Sequence, residues 1–362
     1  MARLKATHAA LVATVGAAAL VLTACGGSSS SSESSAQDAS SAPAASSAPA
    51  SSAAASAAAP VGGKVAYLSA SSANTWLQSS LKAMQEVATP EGIEITEFDA
   101  QFKPGEAAKQ IQDVIAAGDY QGIIIAGLDG AALIPDLQQA MDAGLKVVVL
   151  NQIIGDKLDT SDPQFDGASA SVLVPPKASG TLLGELTVEA CADLDPCNVG
   201  YFFGIKGTPI DTAVRLGFDE ATAGSANIKV VAEGESQYLG PDVALKATQD
   251  MLQKNPEINV ISGPDQAMQG AQLAVEDAGS IDRIKLIGFG GSQAALDAVA
   301  AGTWFGDVFG APATEGEKAM AAMISALKDG TVTGGINPLT DFPNGGKGTS
   351  ANVGDYTAQW AG

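Results

Sequence analysis

Short strand-like runs alternate with stretches of helical period along most of this chain. The runs lie at residues 65–68, 93–98, 122–126 and 147–150. Between them apolar residues recur at helical spacing: Leu77, Leu81, Met84 and Ala88, then Ala107, Ile111, Val114 and Ile115, then Leu133, Leu137 and Met141. A run such as Gly122-Ile123-Ile124-Ile125-Ala126 has no polar alternation, so it predicts a strand covered on both faces, and a helix between two such strands is the crossover of a parallel sheet. A spacing of about 25 residues per strand therefore predicts a doubly wound lobe. After an irregular stretch at 151–176 the pattern resumes. Helices at 180–190, 212–223, 242–253, 267–277 and 293–300 alternate with strands at 199–203, 229–232, 259–262, 285–289 and 304–308, and a last helix spans about 313–328. The expected fold class is α/β, with two doubly wound parallel-sheet lobes in series. Open α/β sheets bind ligands beyond the carboxyl ends of their strands, which puts the cleft between the lobes.

The first 60 residues do not share this pattern. Arg3 and Lys5 precede an apolar stretch at 9–22 of about 14 residues, shorter than the roughly 20 that a spanning helix needs. Residues 1–24 are thus expected to be a secretion signal that is removed. Leu22-Thr23-Ala24-Cys25-Gly26 resembles the bacterial lipobox, which implies lipid on Cys25 and a domain anchored at the outer face of the cell membrane. From 26 to 60 nearly every residue is Ser, Ala, Gly or Pro, too little apolar surface to offset the entropy of ordering, so 25–60 is expected to be a disordered tether spanning roughly 30 Å. These 60 residues hold two basic side chains and two acidic ones, Glu33 and Asp38. The whole net charge of −21 therefore sits on the remaining 302 residues. Such a surface repels polyanions, so nucleic acid is not an expected partner.

Residue types also limit the chemistry. The only histidine, His8, lies in the expected signal, which leaves the mature chain without a serine–histidine or cysteine–histidine pair and without the usual nitrogen ligand of zinc. No dinucleotide glycine fingerprint follows a strand, and no nucleophile elbow is present. Gly346-Lys347 lacks the first Gly and the final Ser or Thr of a phosphate loop and reads as a mobile C-terminal loop. Asp129, Asp265 and Asp307 fall at or near strand ends; a carboxylate-dependent hydrolase would need two of them paired in space, whereas helix capping is the simpler role. No enzyme, cofactor or metal is expected. Cys191 and Cys197 stand close in sequence in an exported chain, so a disulfide is expected; the alternative is a two-cysteine metal site.

The lipobox and tether, the strand at Val65, Asn74-Thr75-Trp76, Leu128-Asp129, Gly207-Thr208 with Arg215 and Gly217-Phe218, Pro264-Asp265 with Gly270-Ala271, and Gly288-Phe289 together resemble the periplasmic sugar-binding proteins of the ribose-binding type. The resemblance runs from Val61 to about Ile336. It implies two lobes joined by a three-crossing hinge, assigned here as 61–170 with 311–340 and 171–310 with 341–362. It further implies a monomeric receptor that hands a small ligand to an ABC permease; a receptor that presents its ligand to a membrane sensor is the alternative. In that family aromatic side chains sandwich the sugar while Asn, Asp, Arg and Gln grip it. Here Asn151-Gln152 stands where the family has Asp-Arg, Gly290 where it has Asp, and Gly310 where it has a hinge Gln. The loss of charged groups points to a neutral sugar or polyol.

Eight residues are candidates for ligand contact. Trp76 falls one position off the Leu77 stripe, where its ring can stack on a ligand. Asn74 can cap the first helix, contact ligand, or both. Asn151 and Gln152 follow an apolar strand, as contacts or as ordinary loop polarity. Tyr238 and Phe289 are cleft or core aromatics. Asp265 either caps the helix near Ala267 or reaches the ligand, and Arg215 is a ligand donor or a partner of Asp211 or Asp219.

Overall fold

A computed structural model describes residues 60–362. The expected signal, Cys25 and the Ser/Ala-rich stretch to residue 59 lie outside the described residues.

The first sheet is built from β1 (Gly63–Ser69), β2 (Ile93–Asp99), β3 (Gly122–Ile125), β4 (Lys146–Leu150), β5 (Ala170–Val172) and β11 (Gly334–Ile336). Its strand order is β2-β1-β3-β4-β5-β11, parallel throughout, with Val65 beside Gly122 and Ile123 beside Val147. The period of two in a strand explains why its runs are continuously apolar. Val65, Tyr67, Ile124, Val148 and Leu150 face α1 (Thr75–Ala88) and α9 (Pro312–Asp329), while Ala66, Leu68, Ile123, Ile125, Val147 and Val149 face α2 (Glu106–Ala117) and α3 (Ile134–Asp142).

The second sheet repeats the design with β6 (Cys197–Phe203), β7 (Ile228–Glu235), β8 (Val260–Pro264), β9 (Lys285–Phe289), β10 (Gly306–Val308) and β12 (Lys347–Thr349), in the order β7-β6-β8-β9-β10-β12. One face is covered by α4 (Pro176–Ala190) and α5 (Pro209–Thr222). The other is covered by α6 (Pro241–Lys254), α7 (Asp265–Asp277) and α8 (Gln293–Ala300). The chain passes between the two sheets three times: from β5 to α4, from β10 to α9, and from β11 to β12. In both sheets the strand order reverses beside the first strand, so the two switch points open toward one cleft.

Three short strands escape the sequence pattern. β5 lies inside the stretch read as irregular and carries the first sheet on to Val172, past the boundary expected at 170. β11 has the sequence GGI, with no periodic signal. β12 corrects the reading of Gly346-Lys347 as a mobile loop: it pairs antiparallel with β10, and Lys347 Nζ bonds Glu189 and Glu185 on α4 at 2.8 and 3.3 Å. Trp304, expected in a strand, is instead a fully buried core residue whose Nε1 donates to Gln272 Oε1. Cys191 and Cys197 form a disulfide that joins the end of α4 to the start of β6.

Candidate functional site: the cleft between the sheets

Loops at the carboxyl ends of the strands form the site. Asn74 caps α1 by accepting from Leu77 N–H at 3.0 Å, and its amide donates across the cleft to the Tyr238 carbonyl at 2.8 Å. Capping and bridging are thus one role, because an N-cap side chain sits where the helix opens onto the cleft. Trp76, in the first turn of α1, turns its ring to the cleft and packs against Gly310. A Cβ at position 310 would lie 2.4 Å from that ring. A side chain at this position would therefore displace the ring.

Beyond β4, Asn151 adopts a left-handed backbone (φ 62°), a conformation that Asn tolerates better than most residues. Its amide donates to Glu315 Oε2 at 3.1 Å, and Gln152 Nε2 donates to Asn151 Oδ1 at 3.0 Å. Glu315, on the first turn of α9, is 1% exposed and also accepts from Val174 N–H at 3.3 Å. Burial pushes its carboxyl up to about 7, against the hydrogen bonds from Asn151 and Val174. The indole Nε1 of Trp76 lies beside this carboxyl without a hydrogen-bond partner.

From the second lobe come Phe289 and Gly290 at the end of β9, Gln266 in the first turn of α7, Tyr238 in the loop before α6, and Trp360 near the C-terminus. With Phe102 and Leu128 from the first lobe they enclose a cavity of about 100 Å³. Trp76 and Trp360 meet edge to face, their ring centroids 5.4 Å apart. The Tyr238 hydroxyl is buried beside Asp211, which is itself pinned by the N–H groups of Gly204 and Ile205.

Six of the eight candidate residues therefore come together in the cleft: Asn74, Trp76, Asn151, Gln152, Tyr238 and Phe289. Two do not. Arg215 lies on α5 outside the cleft, paired with Asp219 at 2.8 Å and Glu233 at 2.6 Å and stacked over the Tyr201 ring. Two ion pairs and a ring contact hold the guanidinium on that outer face. Asp265 sits one layer behind the lining and caps no amide of its own helix: its carboxylate accepts from Ser292 N–H at 2.8 Å. It faces Asp307, which accepts from Gly291 N–H; burial pushes both carboxyls up, the charge of Asp265 raises Asp307 further, and the contact with Asp307 and the bonds from Ser292 act against the rise at Asp265. The pair ties the ends of β8, β9 and β10 together.

Sequence reasoning missed Glu315, Gln266, Phe102 and Trp360. Glu315 carries a readable signal, an acid on the buried stripe that continues through Ala319, Met320 and Met323. Trp360 carries none, because the segment around it has no regular structure.

A deep cleft between two similar α/β lobes, lined by aromatic rings and amides and crossed by three chain segments, defines a two-lobed receptor for a small solute. Residues 65–331 match the model of the periplasmic binding protein domain, and the chain belongs to that family, a family of binding proteins rather than enzymes. The chain is 26% identical to the D-allose-binding periplasmic protein of Escherichia coli over 69% of its own length and 80% of the relative's. Among solved structures it resembles the Caulobacter myo-inositol binding protein bound to myo-inositol, with a TM-score of 0.70, 20% identity and coverage of 81% of this chain and 95% of that one. It also resembles an ABC transporter periplasmic solute binding protein from Actinobacillus succinogenes with bound D-allose, with a TM-score of 0.69, 21% identity and coverage of 81% and 100%.

Proposed function

We propose that the cleft captures a compact neutral sugar or polyol and that the chain, as a monomer, delivers it to an ABC permease while lipid on Cys25 holds it at the outer face of the cytoplasmic membrane. The observation that carries this reading is the makeup of the cleft wall. It offers the amides of Asn151, Gln152 and Gln266, the unpartnered indole N–H of Trp76 and one carboxyl, Glu315, and it contains no Lys, Arg or His. A buried anion would meet no countercharge there, whereas hydroxyls can be matched by amides and by a carboxyl that holds its proton up to about pH 7. The rings of Trp76, Phe102, Phe289 and Trp360 suit the apolar face of a sugar. Support also comes from the ligands named for the D-allose and myo-inositol proteins, both neutral and polyhydroxylated.

A thermal-shift panel of neutral sugars and polyols, including D-allose and myo-inositol, with amino acids and phosphate esters as the contrast, tests the reading. At a ligand concentration of about 100 times Kd, binding adds about 2.7 kcal/mol. That raises the melting midpoint by several degrees, at about 2–4 °C per kcal/mol for lobes of this size. Trp76→Ala is expected to remove most of the shift while leaving the ligand-free midpoint near that of the parent. A panel in which only ions shift the midpoint overturns the ligand class.

A further inference from the structure

The last four residues bond to both lobes. On the second lobe, Gln293 N–H donates to the Trp360 carbonyl at 3.0 Å, Ala294 N–H to the Ala361 carbonyl at 3.2 Å, and Trp360 Nε1 to the Gly290 carbonyl at 2.7 Å. On the first lobe the contacts run through side chains. Gln359 exchanges two hydrogen bonds with Thr314 at the start of α9, at 2.9 and 2.8 Å, and Ser79 and Thr75 of α1 donate to the carbonyls of Gln359 and Gly362 at 2.6 and 3.1 Å. Between these two sets of bonds Trp360 is held at 7% exposure in the cleft wall, against Trp76.

We propose that residues 359–362 form a clasp on the binding cleft. It rides on the second lobe, clips to the first through Gln359, and presents Trp360 as the aromatic wall opposite Trp76. Three observations fix the roles. The bonds to the second lobe use backbone amides and one buried indole, so they form the fixed side. Each of the four bonds to the first lobe uses at least one side chain, and these can break and reform as the lobes part. Finally, Gly290 leaves room for the indole: a Cβ there would lie 2.8 Å from Trp360 Cζ2 and 2.9 Å from the Asp265 carboxylate, so a side chain at this position would crowd both. A side chain from the C-terminal segment thus supplies part of the cleft wall. A ligand in the cavity that both rings line meets Trp360 directly, so the size and faces of the ligand are read partly by the clasp.

The inference rests on the cleft being a ligand site, and two independent measurements test it. Spin labels at Lys82→Cys on α1 and Lys246→Cys on α6, both exposed, report the distance between the lobes in the otherwise unaltered chain. Gln359→Ala removes the two bonds to Thr314 and is expected to shift the ligand-free distance distribution toward longer values. An unchanged distribution overturns the clasp. For the tightest ligand among D-allose, myo-inositol and the rest of the sugar panel, Trp360→Ala is expected to weaken binding at least tenfold, equivalent to about 1.4 kcal/mol. Trp360→Phe, which keeps a ring and is the safer variant for folding, is expected to change the order of preference across the panel. Parent-like affinities in both variants overturn the role of Trp360. A parent that binds no member of the panel sinks the proposed ligand class, and the distance measurement then decides the clasp alone.

Discussion

Glu315 is the one carboxyl in the cleft wall, and its effect on stability has a definite sign. Its folded pKa of about 7 stands above the ordinary glutamate value of 4.5, so the folded protein holds a proton that the unfolded chain has released over that interval. The stability it contributes is present in full below about pH 4.5 and is lost as the pH rises through about 7. Glu315→Gln keeps the shape and one accepting oxygen, turns the other into an amide NH2, and cannot ionise. Thermal melts are expected to show the parent losing stability between pH 5 and 7.5 more steeply than Glu315→Gln, with the variant the more stable of the two above pH 7.5. Equal slopes would show that Glu315 does not titrate in this interval. Asp211, Asp265 and Asp307 are also buried and raised, so the difference between the two proteins, and not the parent's slope alone, isolates Glu315.

At the scale of elements, the link between β10 and α9 does two jobs. It carries the chain from the second lobe to the first, and at Gly310 it provides the floor on which Trp76 lies. Gly310→Ala is therefore expected to displace the ring of Trp76. Weakening of the best panel ligand by about tenfold, near 1.4 kcal/mol, together with a changed tryptophan emission in the ligand-free protein, would show this. The backbone at Gly310 does not need a positive φ, but the added Cβ would also lie 2.7 Å from the Gly290 carbonyl, so the loop after β9 must shift too and the ligand-free melting midpoint is expected to fall. Unaltered emission and affinity would mean that the ring can move aside at no cost. A similar division of labour holds at the start of α1, where one Asn74 side chain stops the helix and reaches the other lobe.

For the whole molecule, the proposed delivery to a permease is served by an anchor that keeps the receptor near the membrane. Cys25→Ala is expected to release the protein from the membrane fraction into the medium. Retention of the variant after a salt wash would rule out the proposed anchor. Among the described residues no helix is long and apolar enough to cross a membrane.

The sequence alone determined the elements with strong periodicity. Continuous runs such as 122–125 and helices such as α1 and α9 were legible because burial on two faces, or on one stripe, dictates residue type at every position. Asn74, Trp76, Asn151 and Gln152 were legible because a doubly wound sheet puts its binding loops just after its strands. Only the tertiary structure could decide the rest. β5, β11 and β12 are three residues each, too short to carry a period, and exist because a neighbouring strand offers free hydrogen-bonding groups. Arg215 belongs outside the cleft because Asp219, Glu233 and the Tyr201 ring hold its guanidinium there, and Asp265 lies behind the wall because it binds Ser292 N–H and faces Asp307. Trp360 reaches the cleft from more than 280 positions along the chain from Trp76, a proximity set by how two lobes and a C-terminal segment pack together, which no local pattern encodes.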